Sequence, residues 1–272
     1  MTIRTIEFLK AFLLTAILVF ESGCGMASNS VPVKKNGEAV PKQQTAITKN
    51  VEIKKPETKI DDKEKANPVY GYNNGDKYLA KYQNDFSVRQ LILVEQSESD
   101  NRSATLFLLS KNNHEDWRIA LECKAVLGMN GLGKTREGDA KTPIGDFGMV
   151  KAFGVKDDPG SLIPYTKLTN TMYLCSDKEY YNQFIDVSKV NHTCSSKSEH
   201  LISYQPQYNY ALFFDYNKEN IYGKGSAIFL HCFGSYPYTL GCIAVSEENM
   251  IKILKTVDKN SRICIYPKTS KT

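Results

Sequence analysis

A histidine and a cysteine separated by a short polar loop are the most reactive pairing in this chain. His231 closes the apolar run Ile228-Phe-Leu, and Gly241-Cys242 opens the run Ile243-Ala-Val. A thiol with an imidazole in reach is the minimum equipment for nucleophilic acyl transfer: sulfur attacks a carbonyl carbon while the imidazole takes and returns the proton. Alternatively, the imidazole holds the thiol as an ion pair and lowers its pKa. Gly241, lacking a side chain, lets the backbone turn sharply and aim the amides of Gly241 and Cys242 at the oxygen that gains charge. In the intervening loop, Thr239, Gly234 and Ser235 are expected to meet the substrate, and Gly234 or Ser235 to orient the imidazole through a backbone carbonyl. Taken alone, such a pair also describes a buried core thiol beside a structural histidine. The surrounding sequence has to decide.

Positioning the pair takes rigid elements on both sides of the loop. Upstream, Leu212 to Tyr216 and Ala227 to His231 read as strands. Gln90 to Glu95, Ala104 to Ser110 and Trp117 to Leu127 are strand-like runs separated by Ser, Asp and Asn clusters, as in a β-meander, and Phe147 to Phe153 is a further strand. Downstream, Ser246 offers an N-cap hydroxyl, Glu247 and Glu248 follow, and Met250, Ile251 and Leu254 recur at helical spacing. Arg262 to Tyr266 closes as a last strand. The fold is therefore expected to be mainly β with one or two short helices. The Gly-, Thr- and Pro-rich stretch Gly128 to Gly145 is incompatible with a helix and lacks the Gly-Lys-Ser/Thr ending of a phosphate loop. Asp139 and Thr142 are expected to make turn hydrogen bonds there, lining one wall of a cleft.

His231 followed by Thr239-Leu-Gly241-Cys242 resembles the catalytic signature of the YkuD-type L,D-transpeptidases, in which an upstream His precedes a Ser/Thr-x-Gly-Cys element. Gly128-x-Asn130-Gly131, with Arg136-Glu-Gly138-Asp139-x-x-Thr142-Pro143-x-Gly145, resembles that family's Gly-Asp-x-x-Thr-Pro-x-Gly turn. Asp177 to Asn182 and Glu199 to Tyr210 are similar to the middle segment of one branch. The resemblance spans residues 88 to 267. It departs at Leu240, where many members carry His, at Ala244, where many carry Arg or Asn, and in a shorter His-to-Cys loop, which marks a divergent branch.

The resemblance implies a β-sandwich or barrel with Cys242 in a cleft as nucleophile, His231 as base and Gly241 on the oxyanion side. It also implies L,D-transpeptidation of peptidoglycan stem peptides with neither cofactor nor metal. With water as acceptor, the same site would be an L,D-carboxypeptidase or a cross-link-cleaving peptidase. A catalytically silent cell-wall-binding module would keep the fold but has no need of a reactive Cys242.

The rest of the 272-residue chain carries a mild net charge of +5 spread over many Lys and Glu residues, which makes no case for nucleic acid. Arg4 and Lys10 precede the apolar run Ala11 to Phe20, and Glu21-Ser-Gly-Cys24 follows, the layout of an export signal too short for a membrane-spanning helix. Ser22-Gly23-Cys24 also resembles the end of a bacterial lipobox, with Glu21 where an apolar residue is usual. Cys24 would then be lipidated and anchor the protein. Secretion or an uncleaved anchor is the alternative. Residues 1–24 thus read as a signal peptide and 25–80 as a flexible polar tether too poor in apolar residues to offset chain entropy. Residues 81–272 read as a monomeric catalytic domain in the cell envelope, touching the membrane only through that anchor.

Seven cysteines are an odd count for an exported chain. Cys123, Cys232 and Cys264 lie in apolar runs and read as small core residues. Cys175 and Cys194 flank a polar segment, where a disulfide and two free thiols are both open. A zinc site from His231, Cys232 and Cys242 is disfavoured, since neighbouring strand residues face opposite sides. His114, His192 and His200 sit in polar surroundings and read as surface residues.

Overall fold

Four consecutive apolar residues, Leu91 to Val94, cannot all point to one side of a strand, so a strand built from them must be buried on both faces. In the computed structural model, which describes residues 75–112 and 116–268, they lie in β1 (Gln90–Gln96). Ile92 and Val94 face the main core, while Leu91 and Leu93 face a second cluster outside it. The parallel neighbour β12 (Arg262–Pro267) divides the same way, with Ile263 and Ile265 inside and Cys264 and Tyr266 outside.

The remaining strands are β2 (Ser103–Ser110), β3 (Arg118–Val126), β4 (Gly145–Gly154), β5 (Tyr165–Lys167), β6 (Met172–Cys175), β7 (Gln183–Asp186), β8 (Glu199–His200), β9 (Ala211–Phe214), β10 (Phe229–Cys232) and β11 (Ile243–Val245). One sheet runs β12-β1-β2-β3-β11-β10-β9-β4-β5, and β12 also pairs with β4, which closes the sheet into a barrel with β5 appended. This is the mainly β, barrel-like fold expected. The strand-like runs of the sequence all become strands, shifted by a few residues at their ends. A separate small sheet, β7-β6-β8, was not foreseen, because its strands are only two to four residues long, too short for an apolar pattern to show.

Two α-helices and three single-turn 3-10 helices complete the described residues' regular structure. The helix expected after Cys242 is α2 (Glu247–Leu254), capped by Ser246, whose hydroxyl accepts the Asn249 N–H at 3.3 Å. Its Met250, Ile253 and Leu254 plug the barrel core. The other helix, α1 (Asp76–Gln83), straddles the boundary drawn at residue 80 between tether and domain. Its Tyr78, Leu79 and Tyr82 cover the outer faces of β1 and β12. No helix among the described residues is long and apolar enough to cross a membrane. The export signal, Cys24, the tether up to residue 74 and His114 lie outside the described residues.

The clamp on α1 is Trp117, 3% exposed, whose indole N–H donates to the Leu79 carbonyl at 3.2 Å. Lys111 donates to the carbonyls of Tyr82 and Gln83 at the helix's C-terminal end, where a cation is favoured, and its ammonium stands 4.7 Å from the Trp117 ring. Trp117→Ala should cost about 3–5 kcal/mol, a fall in Tm of about 10 °C for a domain of this size. Limited proteolysis should cut first near α1. Unchanged melting and cleavage patterns would show that α1 adds nothing to the fold.

Candidate active site

Alternation along β10 decides where the imidazole goes. Leu230 and Cys232 point into the barrel core, so Phe229 and His231 point out of it. The parallel strand β11 sets His231 opposite Ala244. Cys242, two residues before Ala244, falls on the same face. Both side chains line one cavity of about 400 Å³, together with Glu199, Tyr208, Gly234 and Leu240. A second cavity of about 340 Å³, lined by Lys134, Tyr181, Lys197 and Ser226, shares Cys242, Glu199 and Leu240 with the first. The cysteine therefore stands where two cavities meet.

The backbone beneath the thiol is held by two threonines. The Cys242 carbonyl accepts the Thr239 hydroxyl at 2.7 Å and the Thr142 hydroxyl at 3.2 Å. Gly241 has φ 139°, a conformation that side chains resist, and a Cβ there would come within 2.9 Å of the Lys141 carbonyl oxygen. Thr142 is fully buried and also accepts the Gly128 N–H at 2.8 Å. Its loop is organised by Asp139, which accepts the N–H groups of Thr135, Arg136 and Lys141 and an ion pair from Lys134 at 2.9 Å. Burial alone would raise the Asp139 carboxyl, but these donors outweigh it and hold the group down at about 2. The Thr-Pro turn thus supplies architecture, as expected, and Lys134 and Glu137 bring it to the wall of the second cavity. Thr142 reaches well beyond its own turn.

Several sequence expectations change in detail. Thr239 lines the cavity, but its hydroxyl is engaged with the Gly241 N–H at 3.1 Å and the Cys242 carbonyl, so it braces the turn instead of standing free for a substrate. The same bond occupies the Gly241 amide that had been assigned to the oxyanion. The His231 ring is oriented by the carbonyl of Cys232, 2.7 Å from Nδ1, and not by Gly234 or Ser235, because the adjoining strand carbonyl is nearer than the loop beyond it. Gly234 lines the cavity. Ser235 is exposed and does not. His200 is turned away, its ring stacked on Tyr173.

Since a carbonyl only accepts, Nδ1 of His231 carries the proton and Nε2 keeps its lone pair. Burial pulls the His231 pKa down to about 4. Burial, and then the nearby Glu199 carboxylate, push the Cys242 thiol up to about 12. The resting pair is therefore neutral, and not the imidazolium–thiolate alternative. The thiol donates to the Ala227 carbonyl at 3.1 Å and accepts the Phe229 N–H at 3.3 Å. Ala227 is held in a left-handed conformation, φ 56°, with its own N–H accepted by the Asn182 side chain at 3.2 Å.

Glu199, Tyr208 and Asn182 were not singled out in the sequence, although all three fall in the middle segment that carried the weakest resemblance. Glu199 is raised to about 7, chiefly by burial, while the Tyr208 hydroxyl donates to it at 2.6 Å. The Tyr208 ring packs edge-on against His231, with centroids 5.5 Å apart. Asn182 offered one signal: asparagine tolerates the left-handed backbone it adopts here, φ 58°. Lys134, in a glycine-rich loop, offered none.

A sequence profile of the YkuD family, the L,D-transpeptidase catalytic domain, matches residues 90–265. Among solved structures, the chain is similar to the helical cell shape determining protein Pgp2 from Campylobacter jejuni, at 20% identity, covering 72% of this chain and 56% of that one with a TM-score of 0.37. It is also similar to L,D-transpeptidase 1 of Mycobacterium tuberculosis, at 16% identity over 66% of this chain and 63% of that one, TM-score 0.30. An L,D-transpeptidase of Xylanimonas cellulosilytica matches at 16% identity over 66% of this chain and 61% of that one, TM-score 0.29. The chain thus spans less than two thirds of the length of each of these structures. A search of curated proteins found no match.

Glu199 gives the site a pH signature. Its folded value near 7 exceeds the unfolded value of about 4.3. Its contribution to stability is therefore fully present below about pH 4 and is lost as pH rises through about 7. Glu199→Gln should stabilise the protein at pH 8 by up to about 3–4 kcal/mol and leave it unchanged at pH 4. Thermal melts at the two pH values check this, and an equal change at both would refute it.

Proposed function

The chain belongs to the L,D-transpeptidase catalytic domain family, and on that premise we propose that it is an exported cysteine acyltransferase acting on peptidoglycan stem peptides. The observation that carries this reading is the convergence of the Cys242 thiol and the His231 imidazole on one cavity. In this reading the protein works in the cell envelope, held at the membrane through Cys24.

The steps follow from the resting geometry. A stem peptide binds with the carbonyl of its diamino acid over Cys242. The thiol leaves the Ala227 carbonyl, passes its proton to Nε2 of His231, and sulfur attacks the carbonyl carbon. A neutral imidazole suits this role, since a protonated one has no lone pair to offer. The Cys242 amide donates to the oxyanion, in a backbone braced by Thr142 and Thr239. The tetrahedral intermediate collapses, the C–N bond to the terminal D-Ala breaks, and His231 returns its proton to the leaving amine. A thioester remains on Cys242.

An acceptor amine on a neighbouring stem then attacks the thioester, gives its proton to His231 and expels the thiolate, which is reprotonated. Two cavities sharing Cys242 favour transfer between two peptides over simple hydrolysis, because donor and acceptor each need a wall to bind against. Leu240, 74% exposed, forms an apolar edge common to both.

Incubation of the purified protein with disaccharide-tetrapeptide, followed by mass spectrometry, tests the proposal. Cross-linked dimers and free D-Ala are expected. Cys242→Ala should abolish both, and His231→Ala should slow turnover by about 10²–10⁴-fold. Tripeptide without dimers would overturn transfer in favour of hydrolysis. No turnover, and no acylation of Cys242 by a β-lactam, would overturn the enzymatic reading altogether.

A further inference from the structure

The wall of the second cavity is built by the small β7-β6-β8 sheet, and one end of that sheet holds a cluster of metal-binding groups. Cys175 ends β6 and is fully buried. His192 and Cys194 lie on the loop that joins β7 to β8, residues 187–198. The two sulfurs and one nitrogen of the His192 ring all stand within 4.8 Å of one another. Nε2 of His192 is 3.4 Å from the Cys175 sulfur and 3.2 Å from Oδ2 of Asp177. His192 was expected at the surface, but its side chain is only 16% exposed.

We propose that Cys175, His192 and Cys194 bind a structural zinc ion, with Asp177 as the donor for the fourth position. In a tetrahedral site with Zn–S near 2.3 Å and Zn–N near 2.0 Å, neighbouring donor atoms stand about 3.3–3.8 Å apart. The two distances from His192 Nε2 lie close to that interval. The donor set also fits the metal: two thiolates and an imidazole in a tetrahedral array select zinc over magnesium or calcium, which take oxygen ligands.

Supporting groups fix the donors in place. The His192 ring packs on Tyr180 with centroids 4.5 Å apart. The Ser195 N–H donates to Asp177 at 2.8 Å, and the Ser198 hydroxyl contacts the Cys175 sulfur at 3.7 Å. Such supporting contacts orient ligands in metal sites.

A Cys175–Cys194 disulfide is the competing use of the two sulfurs, both free thiols here. It leaves unexplained why His192 stands within 4.8 Å of both sulfurs, with Asp177 3.2 Å from its Nε2, whereas a cation accounts for the three-donor cluster. Binding would release the two thiol protons to solvent and take His192 as the neutral imidazole, with no redox change. The ion would tie the end of β6 to the loop that enters β8. Leu174, Ser176, Lys197 and Glu199, which flank the ligands in sequence, line the cavity beside Cys242. The metal would thus hold one wall of the proposed substrate cleft while lying outside the chemistry.

The test is the metal content of the full chain purified without chelator, alongside cobalt(II) titration of protein stripped of metal. About one zinc per chain is expected, and cobalt should give the near-ultraviolet thiolate charge-transfer band and the visible bands of a tetrahedral site. Cys194→Ser and His192→Ala, both on the loop, should weaken metal binding about tenfold or more. Cys242→Ala should retain the zinc, which separates this site from the proposed nucleophile whatever that variant's activity. A wild-type protein with no zinc and no cobalt–thiolate band would overturn the proposal. So would an intact mass lower by two hydrogens with Cys175 and Cys194 linked, or loss of the metal in Cys242→Ala.

Discussion

The carbonyl of Cys242 is a backbone acceptor buried away from water, and the site depends on how it is satisfied. An unpaired carbonyl in that position would be costly. Thr142, one hundred residues upstream, and Thr239, three residues upstream, both donate to it. Each donor brings its own requirements. Thr142 reaches the carbonyl only because Asp139 gathers the Gly128–Gly145 loop around three N–H groups and the Lys134 ammonium. Thr239 does so because its own backbone bridges to Leu127 and Met129 at the start of that loop. Gly241 completes the arrangement, since its positive φ and the nearby Lys141 carbonyl leave no room for a side chain. Two distant sequence motifs are therefore halves of one hydrogen-bonded turn, and the thiol projects from it.

The same burial that stabilises the turn shapes the electrostatics. Neither His231 nor Cys242 carries charge in the resting state, because desolvation outweighs every compensating contact. Glu199 adds to this, since its carboxylate disfavours a thiolate nearby. It joins through Tyr208 to the edge of the His231 ring. Reactivity in such a site must come from bound substrate and a base with its lone pair exposed, and less from a preformed thiolate.

Much of the barrel was legible because its strands are buried on both faces or alternate strictly. Leu91 to Val94 and Ile263 to Tyr266 announce themselves as β1 and β12 by composition alone. The helix α1 did not, because Tyr, Lys and Asp residues dominate it and its buried side rests on three residues, Tyr78, Leu79 and Tyr82. The nucleophile and base candidates stood out through residue type and spacing. Their hydrogen bonds did not. Whether the Thr239 hydroxyl braces a turn or meets a ligand, and whether Cys232 or Gly234 orients the imidazole, depends on tertiary distances that spacing does not encode. Glu199 and His192 were hidden for the same reason: their surroundings come from segments that only the small sheet brings together.

The central claim is that a neutral thiol and a neutral imidazole share this cleft. Its most direct test is the rate of Cys242 alkylation by iodoacetamide as a function of pH, read by peptide mass spectrometry. The account predicts a rate that climbs with pH through neutrality and well above it, without a plateau, as expected of a thiol whose pKa lies near 12. A rate already at its plateau below pH 7, lost in His231→Ala, would reveal an imidazolium–thiolate pair and contradict it.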